Sequence, residues 1–243
     1  MTVKFAFAIP TRNSTATLEQ ALVSLAGQSY KDWRAVIVDD CSTDGTDGAI
    51  EIVATELGIR SKITLIRNDE RLWEIANTLR ALEVIQSDEI VCRLDLDDYL
   101  CDLNALEIIA RRYDKDPELD ALWTAHRWFD ANGITTMNIS KSMPQGANPY
   151  KHPWVSSHLK TFRRSLLDGV SDANYRGKDG EYFKRIGDQT FMLPALAQAR
   201  KHEFLPIAAY AYFCPMDPGN FQTDDAKFQK EEADYLRARG FER

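Results

Sequence analysis

Short apolar runs alternate with helical patterns through the first hundred residues of this chain. Strands are predicted at residues 4–9, 34–38, 62–66 and 89–94, and helices at residues 15–28, 46–57 and 72–85. In the first helix, Leu18, Leu22 and Leu25 fall on one face. A β-α-β-α-β-α-β order calls for a mostly parallel sheet with helices on both faces.

The pattern changes after residue 98. The predicted elements are a helix at 103–113, a strand at 120–125, a hairpin at 127–138, a loop at 140–153, a strand at 157–162, a helix at 188–199, an extended segment at 203–213, a loop at 215–223 and a polar helix at 224–239. The sequence shows no internal repeat and no clean linker, which favours a single domain in two lobes.

The charge and cysteine content narrow the classes of function. The formal net charge of −7 argues against a protein that grips nucleic acid through a basic face. None of the cysteines forms a C-x-x-C pair, which favours reduced thiols and a cytoplasm-like compartment. We see no signal peptide and no apolar run long enough to span a bilayer, so an enzyme acting on a lipid-linked acceptor would visit the membrane rather than cross it.

Polar residues follow three of the predicted strands, at residues 10–13, 39–46 and 95–98. Ligands of an open parallel sheet bind at the carboxyl ends of its strands. A single acidic pair could simply cap the next helix, but capping does not require three such segments to converge on one edge. The pattern therefore predicts a ligand site there.

Asp95 and Asp97 lie two residues apart at the end of the fourth predicted strand. In an extended segment both side chains point the same way while Leu96 turns into the core. Two carboxylates in this arrangement suit Mn²⁺ or Mg²⁺ with phosphate oxygens completing the coordination shell. The other common nucleotide motifs, a G-x-x-x-x-G-K-[ST] loop and a G-x-G-x-x-G turn, are absent from the sequence.

Taken together, these segments resemble family 2 glycosyltransferases of the GT-A fold. Residues 9–13 resemble the first-strand motif of that family, residues 28–33 its Q-x-Y/F-x-x-W/F segment, residues 38–46 its DD-x-S-x-D-x-T block and residues 95–98 its D-x-D-D metal motif. Cys41 stands where glycine is more usual. A looser resemblance to one subgroup covers residues 158–164, 187–194 and 210–213.

The resemblance implies a single GT-A domain over residues 1–243, with a Rossmann-like, mixed but mostly parallel sheet. Residues 1–100 would form the nucleotide-binding half, 101–213 the acceptor-side half and 214–243 a C-terminal tail and helix.

The resemblance also assigns roles to individual residues. The donor-binding residues would be Pro10, Thr11, Asn13, Asp39, Asp40, Arg67, Arg71 and Asp95, with Asp39 accepting the uracil N3–H. Asp95 and Asp97 would bind the metal, and Trp154 and His158 would lie on the acceptor side. Asp188 would be the general base; its alternative role is an N-cap for a helix beginning at Gln189. If Asp188 only caps, the base would be sought among Asp172, Asp179 and Glu181.

The function implied is inverting transfer of a sugar from a nucleoside diphosphate sugar, UDP-linked, to a hydroxyl of a saccharide or glycan. The same chemistry on a hydroxymethylated base of viral DNA is an alternative, which the acidic charge disfavours. A nucleotidyltransferase and a non-catalytic nucleotide-sugar or glycan-binding domain are alternatives of another class. The missing glycine-rich loop disfavours the first, and the presence of Asp97 and Asp188 disfavours the second.

Overall fold

A computed structural model describes residues 3–130, 132–135, 138–214 and 223–242. Within them, the strands are β1 Phe5–Thr11, β2 Trp33–Asp39, β3 Ile63–Arg67, β4 Ile90–Arg93, β5 Tyr99–Leu100, β6 Leu119–Asp130, β7 Gly133–Ile134, β8 Lys160–Arg163 and β9 Lys201–Phe213. The α-helices are α1 Leu18–Ala26, α2 Thr46–Glu56, α3 Trp73–Val84, α4 Ala105–Lys115, α5 Gly187–Gln198 and α6 Asp224–Arg239.

All the strands belong to one sheet, in the order β3-β2-β1-β4-β8-β6-β9-β5, with β7 paired to β6. The first four strands in this order, β3, β2, β1 and β4, are parallel to one another. β8 runs antiparallel between β4 and β6, and β9 runs parallel to β6. The predicted α/β class, with a mixed but mostly parallel sheet, is confirmed.

The alternation of side chains along β1 explains why helices cover both faces of the sheet. Phe5, Phe7 and Ile9 join the cluster packed under α1, α2 and α4. Ala6 and Ala8 join the opposite cluster under α3 and α5. All five are fully buried, and each large side chain contributes about 1.5–3 kcal/mol to stability by leaving water.

The second half differs from the prediction at residues 120–138. In place of a short strand and a separate hairpin, β6 is one long strand, because β9 pairs with it from Leu119 to Phe129. Only the tip forms a hairpin, in which Phe129 pairs with Ile134 and Asp130 with Gly133. β6 is extended by its pairing with β9, which is distant in the sequence. The periodicity of the sequence does not reveal such a pairing.

The remaining predicted elements agree closely with those of the structure over the described residues. The predicted C-terminal helix at 224–239 is α6, and residues 140–153 contain no helix or strand. The predicted loop at 215–223 lies, except for its last residue, outside the described residues. Over the ranges that the structure describes, no helix combines the length and the apolar character that crossing a bilayer requires.

Candidate active site

The carboxyl ends of the parallel strands line up at one edge of the sheet. Thr11 at the end of β1 pairs in register with Asp39 of β2, and Asp39 pairs with Arg67 of β3. Beside this edge lies a cavity of about 640 Å³, the edge cleft. Its walls include seven of the predicted site residues: Pro10, Thr11, Asn13, Asp40, Arg71, Asp95 and Asp97.

A second cavity of about 530 Å³, the side cleft, lies next to the edge cleft. It is lined by three further predicted residues, Trp154, His158 and Asp188, whereas Asp39 and Arg67 line neither cavity. Glu74, Asp95, Arg185, Tyr212 and Gln229 line both cavities. The structure thus brings the two predicted groups, one at the sheet edge and one on α5, to adjoining spaces.

The loops after β1 and β2 are hydrogen-bonded to each other, and the first of them lines the edge cleft. Thr11 Oγ1 shares a 2.6 Å hydrogen bond with the hydroxyl of Ser14. Asn13, in the left-handed region at φ 54, donates its N–H to the hydroxyl of Ser42 and accepts from the N–H of Thr43. The amide oxygen of Asn13 therefore already holds the loop together.

Asp39 lies beneath the wall of the edge cleft rather than on it. Its side chain is fully buried, and its Oδ1 accepts from the backbone N–H and the hydroxyl of Ser42. Oδ2 accepts no hydrogen bond from the described residues, and the nearest cation, Nε of Arg67, is 3.9 Å away. A buried acceptor without a partner is costly, so this oxygen is suited to a donor supplied by a ligand.

Asp40 organises the segment that leads into α3. Its carboxylate accepts from the backbone N–H groups of Leu72, at 2.6 Å, and Trp73, at 2.9 Å. Trp73 adopts φ 68, a left-handed conformation that is unusual for a bulky residue. The guanidinium of Arg71 lies 3.3 Å from the centre of the Trp73 ring. Asp40 thereby fixes two side chains in the wall of the edge cleft.

The Asp95–Asp98 segment departs from the extended geometry that the sequence suggested. β4 ends at Arg93, and the N–H of Asp98 donates to the carbonyl of Asp95 at 3.1 Å, which closes a turn. Leu96 is buried in the core as expected. Asp98, which also lines the edge cleft, accepts from the hydroxyl of Tyr210.

Asp95 and Asp97 nevertheless both line the edge cleft. Burial, with the nearby Asp95 carboxylate, raises the pKa of Asp97 to about 6. Burial also raises the pKa of Asp95, against the lowering effect of the Arg93 guanidinium. A divalent cation would relieve this unfavourable environment for two anions.

Asp188 is not an N-cap, because α5 begins one residue earlier at Gly187 and its N-cap residue is Ile186. Its Oδ1 lies 2.5 Å from the ammonium nitrogen of Lys160, and its Oδ2 lies 3.5 Å from Nε2 of His158. Burial alone would raise the pKa of Asp188, but the Lys160 ammonium, followed by His158, holds it below its ordinary value. The carboxylate is therefore an anion at neutral pH.

His158 is a packed histidine beside this carboxylate. Its ring stacks on Tyr210 and Tyr212, with centroids 4.6 and 4.7 Å away. Burial and the Lys160 ammonium lower the pKa of His158 well below its ordinary value. Because an ammonium can only donate, Nδ1 of His158 accepts from Lys160 at 3.1 Å, which leaves Nε2–H facing Asp188.

Sequence reasoning missed Lys160, Arg93 and Glu74. Lys160 lies two residues after His158, a spacing that would put both side chains on one face of an extended segment and could have linked them in the sequence. Arg93 is a charged residue in an otherwise apolar strand, which signals a buried partner. Its Nη2 donates to Glu74 at 2.9 Å and to Asp95 at 3.3 Å.

The other candidate bases lie away from both clefts. Asp172 pairs with Arg176 and accepts from the hydroxyl of Tyr182, and both Asp179 and Glu181 are exposed. None of the three lines either cavity. Within the described residues, no group of three or more His, Cys, Asp or Glu side chains is arranged to hold a metal ion, so the protein itself would supply few ligands.

Known proteins share this chain's sequence to a limited extent. The poly(ribitol-phosphate) β-N-acetylglucosaminyltransferase TarS of Staphylococcus aureus is 27% identical over 213 residues, which cover 86% of this chain and 35% of TarS. The amylovoran biosynthesis glycosyltransferase AmsB of Erwinia amylovora is 33% identical over 96 residues, 40% of this chain and 31% of AmsB. This chain spans 21% to 55% of the length of its curated relatives.

Solved structures share the fold. TarS 1–349 in complex with UDP superposes with a TM-score of 0.68 at 23% identity, covering 95% of this chain and 65% of that one. The mannosyltransferase PcManGT of Pyrobaculum calidifontis, in complex with GDP-Man and Mn²⁺, gives 0.61 at 20% identity, covering 90% and 59%. These matches confirm the predicted GT-A-like fold. Residues 6–171 match the family described as Glycosyl transferase family 2, and because this segment is more than half of the chain, the chain belongs to that family.

Proposed function

We propose that this chain transfers a sugar from a UDP-linked donor to a hydroxyl of a saccharide or glycan, with inversion at the anomeric carbon. The observation that carries the proposal is the placement of Asp188 in the side cleft and of Asp95 and Asp97 in the adjoining edge cleft. A base on one side and a leaving-group site on the other are what such a transfer needs.

The nucleotide would lie in the edge cleft at the carboxyl ends of β1 and β2. Oδ2 of Asp39 is an acceptor without a partner among the described residues, which suits the N3–H of uracil. Reaching it requires a small rearrangement of the flexible side chains of Arg71, in the cleft wall, and of Arg67, whose Nε lies 3.9 Å from this oxygen. TarS has been solved with UDP and with UDP-GlcNAc, which supports a uridine donor.

The residues at the edge cleft fit a divalent cation that has few protein ligands. Asp95 and Asp97 are hard oxygen donors, and burial raises the pKa of both. Donor phosphates and water would complete the coordination of Mn²⁺ or Mg²⁺, which prefer octahedral oxygen ligands. Bound there, the cation would neutralise charge on the diphosphate leaving group.

Asp188 would act on the acceptor in the side cleft. It would take the proton of the acceptor hydroxyl while that oxygen bonds to the anomeric carbon and the bond from that carbon to the diphosphate breaks. The Lys160 ammonium keeps the carboxylate deprotonated and fixes its orientation. Trp154 lines the same cleft and offers an aromatic face on which an acceptor sugar could stack.

This proposal implies one catalytic domain over residues 1–243, divided at about residue 100 into the nucleotide-binding half and the acceptor-side half, with the segment 214–243 added. The contacts of α6 support placing the C-terminal segment in this domain. Glu232 accepts from the backbone N–H groups of Lys184 and Arg185, and Gln229 lines both clefts. Family membership favours a glycosyltransferase over a nucleotidyltransferase.

A thermal-shift panel tests the proposal. UDP-, GDP-, CDP- and dTDP-sugars would each be added with and without Mn²⁺, and a donor that binds the folded state should raise the melting temperature by mass action. We expect the largest shift with a UDP-sugar and Mn²⁺ together. No shift with any nucleotide sugar would contradict the proposed donor class.

A further inference from the structure

Glu74 lies where the two clefts meet. It belongs to the first turn of α3 and lines both the edge cleft and the side cleft. On one side it neighbours the Asp95 carboxylate, since both accept from the same nitrogen of Arg93. On the other side it neighbours Asp188 through Gly187. No nucleotide or metal role of the proposed function uses this side chain.

The carboxylate of Glu74 is anchored by one oxygen and free at the other. Oε1 accepts from Nη2 of Arg93 at 2.9 Å, whereas Oε2 accepts no hydrogen bond from any described residue. The side chain is 30% exposed, and that exposed part faces the clefts that it lines. Burial, with the nearby Asp95 and Asp188 carboxylates, raises the pKa of Glu74 to about 7, against the lowering effect of the Arg93 guanidinium. The arrangement presents a fixed carboxylate acceptor to whatever occupies the junction.

Gly187 makes room for this carboxylate. A Cβ at position 187 would lie 1.7 Å from Oε1 of Glu74 and 2.3 Å from its Cδ. The residue before Asp188 therefore has no side chain, and the space is filled by Glu74. Because the contacted atoms are the far end of a flexible side chain, alanine there would displace the carboxylate rather than prevent folding.

We propose that Glu74 binds a hydroxyl of the transferred sugar and thereby selects the donor. The inference rests on the proposed function, which puts the diphosphate beside Asp95 and the acceptor beside Asp188. The transferred sugar must then lie between them, at the junction that Glu74 lines. A hydroxyl that donates to a carboxylate makes a charge-assisted hydrogen bond, and a site built for one discriminates strongly against a donor that lacks it.

Calorimetry of Glu74→Gln tests the inference. The probes are UDP and, with Mn²⁺ present, three sugar donors: UDP-GlcNAc, UDP-glucose and UDP-galactose. The donor that the wild type binds most tightly is then used to compare the variants. We expect the affinity of Glu74→Gln for that donor to fall about tenfold or more, as for loss of a hydrogen bond to a charged group, and its affinity for UDP to stay within about twofold. The matched control is Glu83→Gln, an exposed residue of the same helix, which should change neither.

A purely structural role for Glu74 gives a different result. If the side chain only neutralises Arg93, Glu74→Gln would change the affinities for UDP and for the sugar donor equally or not at all, and either outcome overturns the inference. A wild type that binds no nucleotide or nucleotide sugar would contradict the proposed function itself. A wild type that binds them, with a variant that loses no selectivity, would contradict only the assignment of Glu74.

Gly187 supplies an independent check. Gly187→Ala should displace the Glu74 carboxylate and weaken the sugar donor about as much as Glu74→Ala does, with UDP binding retained. In the Glu74→Ala background the clash is gone, so Gly187→Ala should add little further loss. This non-additivity is the signature of a shared contact, and fully additive losses would overturn the inference.

Discussion

The ammonium nitrogen of Lys160 lies 2.5 Å from Oδ1 of Asp188, although the two residues come from different elements, β8 and the first turn of α5. Lys160 is almost fully buried, whereas Asp188 is partly open to the side cleft. The strand thus sets the charge state of the carboxylate, and the helix places it in the side cleft. In the proposed mechanism, Lys160 keeps Asp188 ionised, and the position of Asp188 at the start of α5 directs it towards the acceptor.

Removing the Lys160 ammonium should change how activity depends on pH. In Lys160→Met, the largest of the effects that oppose burial is gone, so the pKa of Asp188 rises, and the acidic limb of kcat/KM against pH should move up by about 1–3 pH units. Lys160→Arg keeps a charge and should shift the limb less. An unchanged pH profile in Lys160→Met would show that Asp188 is not the group that must be ionised.

Lys160→Met should also reverse the sign of the effect that ionisation of Asp188 has on the stability of the fold. In the wild type the pKa of folded Asp188 is depressed, so its contribution to stability is present above the unfolded value near 4 and is lost as pH falls through the folded value. In Lys160→Met we expect burial, the largest effect on this group, to outweigh the remaining effects of His158 and Arg93 and to place the folded pKa above the unfolded value, so protonation on acidification should stabilise the fold. Melting temperatures between about pH 2 and 7 would show both effects: for this group, acidification lowers stability below about pH 4 in the wild type and raises stability above about pH 4 in the variant.

Asp188→Asn tests the base itself. We expect the transfer rate to fall about 10²–10⁴-fold, the usual share of general base catalysis, while binding of UDP and Mn²⁺ is retained. The melting temperature should also fall, since Lys160 loses its buried anion. Asp172→Asn, outside both clefts, is the control, and near wild-type transfer by Asp188→Asn would remove Asp188 from the mechanism.

Asp97→Asn tests the metal. A neutral amide is a poor ligand for a hard cation, so the variant should lose most activity and the Mn²⁺-dependent part of donor binding. Asp114→Asn alters an exposed carboxylate of α4 and should have no effect. Full activity of the wild type in EDTA, measured as released UDP, would contradict the metal role.

Asp39→Ala tests the base pocket. If Oδ2 accepts from the nucleotide base, the variant should weaken UDP and UDP-sugar alike by about 1–3 kcal/mol. Ser42→Ala removes a partner of the other oxygen and should weaken both ligands less. A loss confined to the sugar-bearing donor, seen by calorimetry, would place Asp39 elsewhere in the site.

The order and type of the early elements could be predicted from the sequence because they depend on local patterns. Strands β1 to β4 and helices α1 to α3 between them were all found, within a few residues at each end, whereas the short β5 was not. The length of β6 could not be found this way, because its pairing with β9 joins segments about eighty residues apart. The turn after Asp95 likewise depends on Asp98 finding Tyr210 on β9.

The site shows the same division. The sequence by itself determined which strand ends carry polar groups, and with them the edge cleft and its candidates Asp40, Asp95 and Asp97, because parallel strands bring their carboxyl ends to one edge. Only the tertiary structure decided that Lys160 holds Asp188, that Arg93 joins Glu74 to Asp95, and that Gly187 leaves room for Glu74. Buried charges need partners, but the partner can come from any element of the fold. Which element supplies the partner is decided when the strands pair into the sheet and the helices pack against it.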